Sequence, residues 1–499
     1  MLKWLAFALT VMTSWACGQD SRKVPLGINL SGVVDWSTEF PFVDVFRTAR
    51  SWVPQEEGKP WGQGQPLELT PEGWVKSLRP RQYATTMMFV HGGHQPGVYI
   101  CVYDGEGALD FQGNGKVIKA AQGRMEVEIT KQPNLLIHLR KTDPTNPLRN
   151  IRFLMPGHEK TYLEKPFNPS FVERTKQFSV IRFMDWMNTN NSKIASWNDR
   201  PLPTDAIQSR KGVCLELMVA LCNQLQVSPW FCMPHLADDD YVTRFAEQVK
   251  ASLDPRLKIH VEYSNEVWNG QFEQARYAQL KGKESKLSNN AFQAQLYFHS
   301  KRSVEIFNIW ERVFGGRERL VRVLGSQSAN PWVSEQVMDF QQAYKHADAV
   351  AIAPYFGGPL GDPKAANRNA ERSLDEIVAE CSKHIEQNQK TIRQVVQKAR
   401  ERGLQVLAYE GGQHLVGHGG AENNEKLTKL LIAANRDPRM KELYLKDLQS
   451  WETAGGGLFV VFSSVGQPSK WGSWGILEAE NQDVNTAPKY QGIMEYLRK

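Results

Sequence analysis

The stretch LKIHVEYSNEVWNG, residues 257–270, opens like a buried β-strand and then breaks its own pattern. Ile259, Val261 and Tyr263 alternate with period two, as one apolar face of a strand does. Asn265 and Glu266 follow where the apolar run stops, and Trp268 comes just after them. A carboxylate at the end of a core strand is costly unless it faces a cavity or a partner. The pattern assigns Ile259 and Val261 to the interior of a barrel, and Asn265 and Glu266 to its mouth.

Six more stretches have the same form: FSVIRFMDW (178–186), SPWFCMPHLA (228–237), RLVRVLGSQ (319–327), ADAVAIAPYF (347–356), LQVLAYEGG (404–412) and GGLFVVFSS (456–464). LGINLSG, residues 26–32, makes eight strands. Amphipathic segments lie between them, the longest over residues 373–403 and ending in Arg400, Arg402 and Gly403, which are C-terminal helix signals. Eight strands alternating with helices is the count of a (β/α)8 TIM barrel, an α/β fold. A doubly wound sheet is the alternative, but no Gly-rich phosphate turn follows the first strand.

Between residues 56 and 160 the texture changes. A Gly/Pro-rich linker, EEGKPWGQGQP, leads into the short runs ATTMMFV, GVYICVYD, GKVIKAA, RMEVEIT, NLLIHLRK and IRFLM, separated by HGGHQPG, DGEG and QGNG. Strands at this spacing predict a small all-β, sandwich-like domain inserted near the N-terminus. The expected organisation is a signal peptide over 1–18, the first barrel strand and helix over 24–55, the insertion over 56–160, and the rest of the catalytic barrel over 161–499. PFVDVFRTARSW, residues 41–52, reads as that first helix. An insertion held by two tethers suits a cleft wall or a brace for the barrel better than a roaming binding module.

The 499 residues exceed one ordinary compact domain, and 41% of them are hydrophobic, enough for a large core. The net charge of +6 comes with no Lys/Arg block, which argues against a nucleic-acid binder. Lys3, the apolar run from Trp4 to Met12 and small residues near Ala16 form a secretory pattern, so a secreted or periplasmic protein is expected. Lipid attachment at Cys17 is the lesser alternative, because SWAC lacks the apolar residue three places before the Cys. No later run of about twenty apolar residues exists, so no membrane span is expected. Five cysteines remain, without a CxxC or Cys/His ladder, which predicts buried thiols, at most one bridge, and no zinc site. His414 and His418 are four apart, but flanking glycines make a loop there, and no metal or cofactor is expected. A monomer is expected.

In such barrels the active site sits at the C-terminal ends of the strands. The polar groups there are Arg182 and Asp185, His235, Asn265 and Glu266, Gln327, Tyr355, Glu410, and Ser463 with Ser464. Two carboxylates, Glu266 and Glu410, end the fourth and seventh strands and converge on one mouth. Two opposed carboxylates are what hydrolysis of a glycosidic bond requires. An Asn-Glu pair alone decides little: Asn424–Glu425 sits beside a helical stretch and reads as a helix N-terminus. Trp186, Trp197 and Trp268, near strand ends, are candidates for stacking on sugar rings.

EYSNEVWN and LAYEGG, in this order and on these strands, resemble the clan A retaining glycoside hydrolases, the group that includes the family 5 endoglucanases and mannanases. The resemblance covers roughly residues 24–55 and 161–499. It implies that Glu266 is the general acid/base, Glu410 the nucleophile, and Asn265 a contact to the sugar 2-hydroxyl. It further implies that Arg182 orients the nucleophile, Tyr355 hydrogen-bonds it, His235 lines the cleft, and Trp471 or Trp474 supplies an aromatic platform. The β-rich insertion departs from simpler members, and no Asn precedes Glu410. The expected activity is hydrolysis of a β-linked polysaccharide or oligosaccharide, a β-1,4-glucan or related glycan, by double displacement. A non-catalytic carbohydrate-binding protein on a barrel scaffold, or a transglycosylase, is the alternative.

Overall fold

A computed structural model describes residues 23–498. The expected signal peptide and Cys17 lie outside the described residues. Eight parallel strands close into a barrel. They are β1 (Leu26–Asn29), β2 (Val180–Arg182), β3 (Ser228–Met233), β4 (Ile259–Tyr263), β5 (Leu320–Gly325), β6 (Ala349–Ile352), β7 (Gln405–Ala408) and β8 (Phe459–Val461). Pairing runs in chain order, and β8 closes the ring by lying parallel to β1 with Val461 opposite Ile28. Every strand comes from one of the eight stretches read above. Among the described residues no helix is long and apolar enough to cross a membrane.

The two faces of the strands divide differently from the expectation. Ile259, Val261 and Tyr263 belong to the large core between barrel and helices. The barrel interior is filled instead by Val180, Trp230, Cys232, Val323, Ala351 and Val460. The intervening residues of β4, His260 and Glu262, share that interior: His260 stacks on Trp230 at 5.1 Å, and the Trp230 indole N–H donates to Glu262. A strand sheathed by helices buries both faces, and the wider helix-facing layer takes the branched aliphatics. The lower barrel is packed so tightly that a Cβ on Gly27 would stand 3.0 Å from the Val180 carbonyl and 3.1 Å from Val460 Cγ2.

The expected helix over 41–52 is a single 3₁₀ turn, Val45–Thr48. Its neighbours are drawn into extended pairing: Phe42 bridges Phe167 and Asp44 bridges Leu154. The Asp44 carboxylate accepts the Phe153 N–H at 3.0 Å, binding this segment to the insertion in place of a helical turn. The helix that packs after β1 is Pro169–Thr175, capped by the Asn168 side chain and reached only after the chain leaves the insertion.

Residues between Val53 and Leu154 form two four-stranded antiparallel sheets and a two-stranded hairpin outside the barrel. Tyr99, Ile129, Phe153 from one sheet and Met88, Leu109, Ile137 from the other share one core, with Tyr99 stacked on Phe153 at 5.0 Å. The strand Gly107–Gly113 escaped the sequence reading, as did Val53–Glu56. All five described cysteines are buried and free.

Two buried histidines carry a pH dependence. His260 is 7% exposed and His299 is 2% exposed, with its Nε2–H donating to the Gly325 carbonyl at 3.0 Å. Burial pushes each pKa from 6.5 down to about 4. Both are neutral in the fold and protonated in the unfolded chain below pH 6.5, so stability is lost as pH falls from 6.5 towards 4, by up to about 3 kcal/mol each. Urea unfolding from pH 7 to pH 4.5 checks this. The His260→Gln variant should lose stability less steeply across that window, and an unchanged slope would refute the assignment.

Candidate active site

The fourth strand ends because its backbone turns. Ser264 and Glu266 have φ of +57° and +43°, a left-handed conformation that strand residues do not adopt. This kink directs the Asn265 and Glu266 side chains to the barrel mouth instead of continuing the strand. Asn265 is then held at both ends: its Oδ1 accepts from Arg182 Nη2 (2.8 Å) and its Nδ2 donates to Asn190 Oδ1 (3.1 Å).

Arg182, fully buried at the end of β2, is the hub. Its Nη1 donates to Glu410 Oε1 at 2.9 Å and to Asn29 Oδ1 at 3.2 Å. On the other side Nε and Nη2 donate to Glu262 Oε2 at 3.1 and 2.9 Å. The guanidinium carbon lies 5.0 Å from the Tyr409 ring and 5.6 Å from the Trp230 ring. One cation therefore serves two carboxylates between aromatic faces, a geometry that lets a buried ion pair recover its desolvation cost. Replacing Glu262 by Leu leaves the Arg182 donors and the Trp230 N–H facing an apolar group. The expected loss is about 3–5 kcal/mol of stability, with Glu262→Gln milder. An unchanged thermal midpoint in both variants would exclude this role.

The two sequence-singled carboxylates are each met by a tyrosine. Tyr355 OH donates to Glu410 Oε2 at 2.9 Å, and Tyr409 OH donates to Glu266 Oε1 at 3.1 Å. Asn269 Nδ2 adds a second donor to Glu266, at Oε2 and 2.8 Å. Burial is the largest influence on both carboxyls and raises both; the Glu266 charge adds to the rise at Glu410, and the Glu262 charge adds to it at Glu266. Only Glu410 touches the guanidinium. Against that burial, Arg182 and the Tyr355 hydroxyl favour the ionised form of Glu410.

Both carboxylates line one cavity of about 1210 Å³ at the barrel mouth. Asn265, Tyr355, Trp268, Trp471 and Trp474 line it too. Trp471 is 64% exposed, whereas Trp474 is wedged edge-on against Tyr355, His414 and Phe462. Arg182 acts from beneath the lining. His235 does not line the cavity: it is 3% exposed and its ring packs edge-on against Tyr277 at 5.4 Å, a correction to its expected place in the cleft. Of the other stacking candidates, Trp186 is buried among Phe42, Phe171 and Phe183, and Trp197 packs on Tyr241. Asn424 caps the helix Glu425–Arg436, accepting from Leu427 N–H, which accounts for the second Asn-Glu pair.

Glu262, Trp230, Asn29 and Tyr409 were missed by the sequence reading. A signal existed for two of them: Glu262 is a carboxylate inside an apolar alternation, and Tyr409 precedes Glu410. The insertion supplies no lining residue among those described. It packs instead on loops after β1 and β2, where Val90 N–H donates to the Asp35 carbonyl and Ala206 N–H to that of Glu72. Among the described residues no group of three or more His, Cys, Asp or Glu side chains could hold a metal ion.

No protein-family model and no curated protein sequence matches the chain. Similar solved structures include a 4-O-α-L-rhamnosyl-β-D-glucuronidase from Fusarium oxysporum, 11% identical over 68% of this chain and 66% of that chain, with a TM-score of 0.41. The GH51 arabinofuranosidase from Xanthomonas axonopodis pv. citri is 12% identical over 60% of each chain, with a TM-score of 0.37. A GH5-4 broad specificity endoglucanase from Clostridium acetobutylicum is 11% identical over 65% of this chain and 89% of that one, with a TM-score of 0.36. The chain thus spans less than two thirds of the length of the first two. Identities this low leave the chemistry to the residues of the site.

Proposed function

We propose that this chain is a retaining glycoside hydrolase acting on a β-linked glycan. The observation that carries the reading is the asymmetric pair at one cavity, in which Glu410 contacts a guanidinium and Glu266 does not. Glu266 holds a proton and gives it to the leaving oxygen as the glycosidic bond breaks. Glu410, whose ionised form Arg182 and Tyr355 favour, attacks the anomeric carbon, displaces the leaving oxygen and forms a glycosyl ester. Esterification removes the Glu410 charge, the pKa of Glu266 falls, and the Glu266 carboxylate takes a proton from the water that opens the ester. Asn265, pinned by Arg182, is placed to meet the sugar beside the reacting carbon. Trp268, Trp471 and Trp474 offer flat apolar faces to the sugar rings.

The pH profile follows from the raised carboxyls. Activity falls as pH rises through the Glu266 pKa, because the acid form is lost, and falls at low pH as Glu410 protonates. The alkaline limb of kcat/KM should lie above the ordinary glutamate value of about 4.3, and an alkaline limb at or below that value would contradict the role of Glu266. The function itself is tested with purified protein on soluble β-glucans, mannans and xylans, following reducing ends and product sizes. Release of oligosaccharides from one of them supports hydrolysis. Binding without release on every polymer would favour a carbohydrate-binding scaffold instead.

A further inference from the structure

The helix Leu374–Arg400 follows β6 and has 27 residues, roughly 40 Å at the α-helical rise. Ile377, Cys381, Ile385, Ile392 and Val396 form its buried side. On another face His384, Gln387, Asn388 and Thr391 fall at i, i+3, i+4 and i+7, and all four line the cavity that holds Glu266 and Glu410. The helix also carries nine Asp, Glu, Lys and Arg residues, and none of them lines that cavity. A helix this rich in charge presents only uncharged polar groups to the cavity.

Two of the four are already positioned. The Gly357 N–H donates to His384 Nδ1 at 2.9 Å, so the neutral ring carries its proton on Nε2 and can donate. Burial lowers the pKa of this imidazole and favours that neutral form. Asn388 Nδ2 donates to the Tyr355 carbonyl at 2.8 Å, tying the helix to the residue that contacts Glu410. The side chains of Gln387 and Thr391 make no hydrogen bond to any described residue, so their donors and acceptors remain for a ligand.

We propose that His384, Gln387 and Thr391 form a subsite for an uncharged sugar unit of the glycan whose scissile bond lies between Glu266 and Glu410. Uncharged donors and acceptors in a row match sugar hydroxyls, and they give a uronate no cation to pair with. The proposal rests on the glycosidase reading for the kind of ligand, and its test does not require turnover.

The full chain carrying Glu410→Gln, which keeps substrate intact, is run in native gels containing barley β-glucan, glucomannan, xyloglucan or polygalacturonate. Retardation by at least one neutral polymer is expected. Adding Gln387→Ala and Thr391→Ala should weaken that affinity about tenfold, as loss of two neutral hydrogen bonds does. Lys390→Ala, on the same helix but outside the cavity lining, is the control and should not weaken it. Unchanged affinity in the double variant, no retardation by any neutral polymer, or stronger retardation by polygalacturonate would each overturn the subsite. Binding that is weakened as expected, in a wild type that hydrolyses none of these polymers, would support the subsite and count against the catalytic reading.

Discussion

Glu410→Gln is expected to lower kcat by roughly 10⁵-fold, as removal of a nucleophile does in other covalent mechanisms. The amide keeps the size of the side chain; its oxygen can replace Oε1 and accept from Arg182, while its NH2 can donate to the Tyr355 hydroxyl, so the fold and the cavity should survive. What is lost is the electron pair that attacks the anomeric carbon. Glu410→Ala should be equally inactive on polymer but open a space beside Arg182. A small anion such as azide or formate can enter there, attack from the same side and restore turnover with inversion. Near-wild-type hydrolysis by either variant would remove Glu410 from the mechanism.

Glu266→Ala should give a different kind of loss. On a polymer, where the departing oxygen is an alkoxide unless protonated, the rate should drop by roughly 10³-fold. On an aryl glycoside with a highly acidic phenol the first step needs no proton, and glycosyl-enzyme should still form at a substantial rate. Hydrolysis of that ester then lacks its base, so the intermediate accumulates and azide should speed its breakdown, giving a product of retained configuration. Equal losses on polymer and activated substrate would show that Glu266 is not the proton donor. The asymmetry between the variants follows from the contacts: Tyr409 and Asn269 donate to Glu266, but no guanidinium touches it.

Much of this was readable in the sequence because parallel barrel strands are buried on both faces. Runs such as ADAVAIAPYF and GGLFVVFSS then stand out as nearly unbroken apolar segments with polar ends. That same burial hides which face is which. Ile259 and Val261 look like interior residues, yet they face the helices, and the interior of β4 is His260 and Glu262. Glu262 has no partner within its own stretch of sequence, and only the closed barrel brings it to Arg182. The reading of residues 41–52 as a helix failed for a related reason. Its apolar spacing is real, but Asp44 and Phe42 are engaged by partners more than one hundred residues away. The strand Gly107–Gly113 was obscured by DGEG and QGNG at its ends, although Leu109 and Phe111 point into the sandwich core.

The site was legible in its carboxylates and less so in its surroundings. Strand ends selected Glu266 and Glu410, and the structure puts both on one cavity. His235 also ends a strand, yet it is covered by Tyr277 of the helix Glu273–Glu284, whose docking over the strand end local pattern does not place. The polar row on the helix Leu374–Arg400 is uncharged only on its cavity side, a distinction that appears once the helix is set against the barrel.

A double displacement, in which Glu410 attacks carbon and Glu266 acts as acid and then base, fixes the configuration of the first product. Proton NMR of the sugar first released from a β-linked substrate tests it most directly, read before the anomers equilibrate. The β-anomer is expected first, with the α-anomer growing in only by mutarotation. First appearance of the α-anomer would mean single displacement by water, and would contradict a covalent role for Glu410.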